Sequence, residues 1–132
     1  MPQPRILIIE NEGVIALDLD QRLTQLGYAV IGIFASGEQA LYYAAQLAPD
    51  LVLMNIRLQG TLDGIQTALA LREFWDAPII YLTASTDAET IRRAEQTQPG
   101  GYLVKPVDDL ELRATLQCAL AVRRQANKAR GL

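Results

Sequence analysis

Apolar and polar positions alternate along the chain in blocks rather than singly. Short apolar runs stand at Ile6–Ile9, Ala29–Ile33, Leu51–Met54, Ile79–Leu82 and Tyr102–Val104, each rich in aliphatic residues and bounded by turn formers. Runs of this kind suit strands covered on both faces, the condition of a parallel sheet. Between them apolar residues return at helical spacing. Val14, Leu17, Leu19, Leu23 and Leu26 form a stripe that stops at Gly27, a residue suited to the turn that follows a helix. Ser36, with Glu38 and Gln39 behind it, opens a second helix that closes before Pro49. Asp63 caps a third that runs to about Trp75, and Thr86 or Asp87 a fourth that runs to about Thr97. A fifth opens at Asp108 or Asp109 and reaches about Lys128.

Five strands alternating with five helices predict βα units: an α/β, doubly wound parallel sheet covered on both faces. In such a sheet the ligand site lies beyond the carboxyl ends of the strands, where strand order reverses. The residues at those ends are Glu10, Asn11 and Glu12 after the first strand, Asn55 after the third, Thr83 after the fourth, and Lys105–Pro106 after the fifth. Asn55 is the odd one. It ends an apolar strand and begins a loop with two glycines, Gly60 and Gly64, where a reactive side chain would be expected. An amide is neither a good nucleophile nor a strong metal ligand.

Composition narrows the function classes. The chain has 132 residues, enough for one core and too few for two, and shows no repeat, linker or low-complexity segment. Half the residues are apolar and a fifth are charged, an ordinary globular balance. The formal charge of −3 speaks against broad nucleic-acid binding. Arg123, Arg124, Lys128 and Arg130 are expected to complement the C-terminal end of a helix rather than to touch DNA. No apolar run approaches the roughly 18 residues of a membrane span, and the start "MPQPRILIIEN" lacks the layout of a signal peptide. The single cysteine, Cys118, has no internal partner and reads as a small helix residue; the chain has no histidine. A reducing, cytoplasmic location is the expectation, without histidine catalysis or most zinc chemistry.

Four segments in order carry a resemblance to the receiver domains of two-component response regulators. "RILIIENE" resembles the first strand with its acidic pair, and "PDLVLMNIRLQGTLDG" the third strand, phosphoacceptor loop and start of the third helix. "PIIYLTA" carries the hydroxyl residue, and "GYLVKP" the switch aromatic and the lysine–proline pair. The resemblance covers essentially residues 1–132 as a single domain, with a core over about 4–122 and the last helix extended to about 128. It implies a flavodoxin-like (βα)5 fold with strand order 2-1-3-4-5. It also implies roles: Asn55 at the phosphoacceptor position, Glu10 and Asn11 as the acidic pair, and the Arg57 backbone carbonyl as a further ligand of Mg2+. Thr83 matches the hydroxyl that binds the phosphoryl group, Lys105 the lysine that pairs with it, and Pro106 the proline after a usually cis bond. Tyr102 matches the switch aromatic, and Gly64 a residue of the loop.

Two departures matter. Asn55 replaces the acceptor aspartate and Asn11 the main metal-binding aspartate. An amide forms no acyl phosphate, and Mg2+ usually needs one or two carboxylates. The expectation is therefore no phosphate at Asn55 and weak or absent Mg2+. Either an Asp→Asn variant of a competent receiver or a natural pseudo-receiver fits. The resemblance implies a sensor histidine kinase or phosphotransfer protein as partner to a competent form. It also implies a contact face on the fourth helix, fifth strand and fifth helix, which could join two copies. A phosphorylation-independent interaction module is the alternative. A flavin or nucleotide binder fits less well, because "ENEGV" lacks a glycine-rich phosphate cradle.

Overall fold

In the computed structural model, which describes residues 2–84 and 87–131, strands and helices alternate throughout. They are β1 (Arg5–Ile9), α1 (Gly13–Gln25), β2 (Ala29–Phe34), α2 (Gly37–Tyr43), β3 (Leu51–Asn55), α3 (Gly64–Leu71), β4 (Ile79–Thr83), α4 (Ala88–Glu95), β5 (Gly101–Val104) and α5 (Asp109–Ala129), with a short 3-10 turn at Ala44–Gln46. The strands form one parallel sheet in the order β2-β1-β3-β4-β5. The expected fold and strand order are the observed ones.

Each strand is one residue longer than its apolar run, at one end or the other, and the additions include Asn55 and Thr83. The ladder continues because backbone pairing does not depend on side-chain polarity. The register of β1 against β2 slips between Ile6 and Leu7. Gly32 sits at that slip, and a Cβ there would stand 3.1 Å from Leu7 Cδ1, so the irregularity suits glycine.

Alternate residues of the strands feed two cores. Leu7, Ile9, Val52, Met54, Ile79 and Tyr81 meet α2, α3 and α4, while Ile6, Ile8, Leu51, Leu53, Ile80, Leu82 and Leu103 meet α1 and α5. Full coverage of both faces explains why the strands read as unbroken apolar runs.

The structure corrects several expectations. In α1 the buried residues are Ala16, Leu19 and Leu23; Val14 is 84% exposed and Leu17 60%. Spacing of three and four selects that narrower stripe and turns Val14 and Leu17 to the opposite side. α3 ends at Leu71 rather than Trp75, and α4 at Glu95 rather than Thr97. Arg72, past the end of α3, donates to the carbonyls of Ala77, Thr97 and Gln98. The indole N–H of Trp75 goes to the carbonyls of Ala44 and Leu47. Past Leu71 the backbone tightens into turns, with the N–H groups of Glu73 and Phe74 donating three residues back to Ala70 and Leu71. Asp87 caps α4 through the N–H of Thr90; Thr86 lies outside the described residues. Arg123 is not spent on the end of α5, whereas Arg130 is its C-cap residue and donates to Asn127 Oδ1 in its last turn. Arg123 donates to the carbonyls of Pro49 and Asp50, and Arg130 pairs with Asp76. Among the described residues no helix is long and apolar enough to cross a membrane.

Candidate functional site

The site is built where β1, β3, β4 and β5 end. Glu10 follows β1 with its side chain 0% exposed, and Lys105 follows β5 with 15% of its side chain exposed. Lys105 Nζ donates to Glu10 Oε1 at 2.6 Å. Glu10 Oε2 accepts from the backbone N–H of Glu12 at 3.1 Å and from Asn55 Nδ2 at 2.9 Å. The buried carboxylate is thus matched by one ammonium and two neutral donors, which is what allows a charge to sit there. Glu12 itself occupies the N-cap position of α1 and makes no side-chain capping bond.

Asn55 closes β3 and is 6% exposed. Its Nδ2 reaches three oxygens: Glu10 Oε2 at 2.9 Å, Asn11 Oδ1 at 2.9 Å and the carbonyl oxygen of Arg57 at 2.6 Å. A primary amide has two hydrogens for those three acceptors. Turning the Asn11 amide over would let its nitrogen donate to Glu10 Oε2 at 3.1 Å and to the Arg57 carbonyl at 2.8 Å. It would also set that nitrogen 2.9 Å from Asn55 Nδ2, donor against donor. We therefore keep Asn55 as the donor at the centre of the cluster.

Thr83 ends β4 and is 4% exposed. With Asn55, Arg57, Asp87, Thr90 and Lys105 it lines a cleft of about 370 Å³. Pro106 follows a cis peptide bond, as expected. Gly64 brings the start of α3 against the end of β3: its N–H donates to Ile56 O at 2.6 Å, and a Cβ would lie 2.2 Å from Asn55 O. Only glycine permits that approach. Tyr102 packs its ring against Tyr81, with centroids 6.0 Å apart. Its hydroxyl is buried and meets no hydrogen-bond partner among the described residues. Burial, helped by Glu95, holds the Tyr102 phenol above its ordinary range. The structure therefore brings Glu10, Asn11, Asn55, Arg57, Thr83 and Lys105 to one place, with Tyr102 on β5 beside Tyr81 of β4.

Several long-range contacts that hold this site have no local signature. The Glu38 carboxylate at the start of α2 accepts from the N–H groups of Thr61 and Leu62, and Ser36 bridges to Gln59. Asp63 caps α3 through the N–H of Gln66 and also receives Arg93 of α4 at 2.8 Å. Arg22 of α1 donates to Val107 O at 2.6 Å and reaches Asp109, which fastens the stretch after Lys105. Among the described residues, no three His, Cys, Asp or Glu side chains are grouped to hold a metal ion.

The family profile for the response regulator receiver domain matches residues 6–117. The chain belongs to the response regulator receiver family. It is 32% identical, over 96% of its length, to the transcriptional regulatory protein PdtaR of Mycobacterium tuberculosis, of which it spans 62%. It is 39% identical, over 86% of its length, to the positive alginate biosynthesis regulatory protein of Pseudomonas aeruginosa, of which it spans 46%. The chain thus spans about half to three fifths of the curated relatives it matches. Among solved structures, the signal receiver domain of a modulated diguanylate cyclase from Desulfovibrio desulfuricans superposes with a TM-score of 0.88 at 40% identity, covering 94% of this chain and 98% of that one.

Proposed function

We propose that this receiver works without taking phosphate at position 55 and passes its signal by protein contact, through the face formed by α4, β5 and α5. The observation that carries the reading is Asn55, whose carboxamide occupies the end of β3 with its nitrogen bonded to Glu10, Asn11 and the Arg57 carbonyl. In a phosphorylatable receiver an aspartate there would attack the donor, with Thr83 and Lys105 steadying the group transferred. Here Lys105 is drawn onto Glu10 instead.

Mg2+ binding would be weak or absent on this reading. The oxygens available are the Glu10 carboxylate, the Asn11 and Asn55 amides and the Arg57 carbonyl, a set with one carboxylate that is already bonded to Lys105 and Asn55. Val104, 44% exposed on β5, and the exposed Arg92 on α4 give the proposed face mixed chemistry suited to a protein partner or a second copy. A sensor histidine kinase or phosphotransfer protein would be the partner of an aspartate-bearing form.

The test is intact mass after incubation with a small acyl-phosphate donor and Mg2+, on this chain and on Asn11→Asp/Asn55→Asp. The reading expects one added phosphoryl group on the double variant and none on the chain itself. A phosphoryl adduct on the unaltered chain would overturn it.

A further inference from the structure

We infer that the Asn55 carboxamide is the pocket's built-in substitute for a cation: its Nδ2 draws together the oxygens that a divalent ion would otherwise gather, so the loop after β3 is ordered without any ion. The inference rests on the reading of Asn55 given above and names how that site is regulated: it is fixed from within.

Three features point to it. The three acceptors around Nδ2 come from two backbone segments: Glu10 and Asn11 from the end of β1, and Arg57 from the loop after β3. Brought together alone, a buried carboxylate and two carbonyl-type oxygens repel one another, and something positive must stand between them. The partial positive charge on two N–H groups does so at 2.6–2.9 Å. Lys105 completes the arrangement by neutralising the other oxygen of Glu10. A divalent ion entering the same space would have to displace hydrogen bonds already made and would find a single carboxylate, so the ion gains little.

The consequence concerns one nitrogen. In Asn55→Asp the atom at the centre becomes an oxygen, about 3 Å from Glu10 Oε2, with no proton to share. Two carboxylates and two further oxygens then face one another, and the fold acquires a need for the ion that the wild-type chain lacks. Asn11→Asp does not do this alone, because the Asn55 donor remains.

The experiment is thermal unfolding of the full chain, with chelator and with about 10 mM Mg2+ or Mn2+, for wild type, Asn11→Asp and Asn55→Asp. The wild-type midpoint should stay the same within about 1 °C in both solutions. The Asn55→Asp midpoint should fall by about 5 °C or more with chelator and recover with the ion. If Asn55→Asp fails to fold with chelator, folding that is restored by the ion gives the same answer. A second measurement needs no variant: Mn2+ added to the isotopically labelled wild-type chain should not selectively broaden the amide signals of Asn11 and residues 55–57. A wild-type chain that gains as much stability from the ion as Asn55→Asp does, or shows that selective broadening, overturns the inference. Such a chain could still refuse phosphate in the mass experiment, so the two claims fail separately.

Discussion

Lys105 and Glu10 show how far a single pair can shape the site. Glu10 is fully buried among three donors, of which the Lys105 ammonium is the closest. Removing a partner from a buried ion pair costs more than the pair contributes, because a charge is left behind with too few contacts. Lys105→Met should therefore lower stability by about 3 kcal/mol, read by urea unfolding. Adding Glu10→Gln removes the stranded charge, and the double variant should recover at least half of that loss. If the two losses simply added, Glu10 and Lys105 would be acting independently despite their 2.6 Å separation.

At the scale of the elements, helix starts were legible and helix ends were not. Ser36, Asp63, Asp87 and Asp108 each accept an N–H of the first turn, a local pattern that any reader of the sequence can find. Past those ends Arg72 and Trp75 donate to carbonyls, some of them 25 or more residues distant, which no window reveals. The same division runs through the site. Strand-end residues are fixed by topology once the sheet is recognised, so Glu10, Asn55, Thr83 and Lys105 could be named in advance. The clamps at Glu38, Arg93 and Arg22 could not, because their partners lie 23 to 85 residues away.

The contact of α2 with α3 is the element-scale feature most open to test. A Cβ on Gly37 would lie 1.8 Å from Thr67 Oγ1, and Thr67 is fully buried with its hydroxyl donated to Asp63 O at 2.8 Å. Gly37→Ala must push the two helices apart or break that bond. We expect a loss of about 1–3 kcal/mol, measured by chemical unfolding, and a smaller loss when Thr67→Ala is added. An unchanged stability in Gly37→Ala would mean the helices are not in close contact there.

For the molecule as a whole, the two cores are apolar but not free of titratable groups. Tyr81 and Tyr102 belong to the core under α2, α3 and α4, and Tyr28 packs against the other. Burial is the leading cause that raises all three phenols above their ordinary value of 10.0. Because Thr97 Oγ1 donates to Ala94 O at 2.6 Å, Tyr81 is the donor in its 2.7 Å bond with Thr97. A phenol whose folded-state pKa exceeds its unfolded value binds its proton more tightly when folded. Its contribution is therefore complete below about pH 10 and is lost as pH rises through the folded value. The chain should lose stability steeply above about pH 10. In Tyr81→Phe/Tyr102→Phe that alkaline loss should be shallower, although the variant starts about 1 kcal/mol less stable at neutral pH for want of the Tyr81 hydrogen bond. Tyr102→Phe adds almost nothing to that deficit, since its hydroxyl has no partner to lose among the described residues. Unfolding midpoints followed from about pH 9 to about pH 11 in both proteins isolate these two tyrosines, because the proteins differ at no other residue. Equal alkaline losses in the two proteins would place the sensitivity elsewhere and leave the buried phenols without influence on the fold.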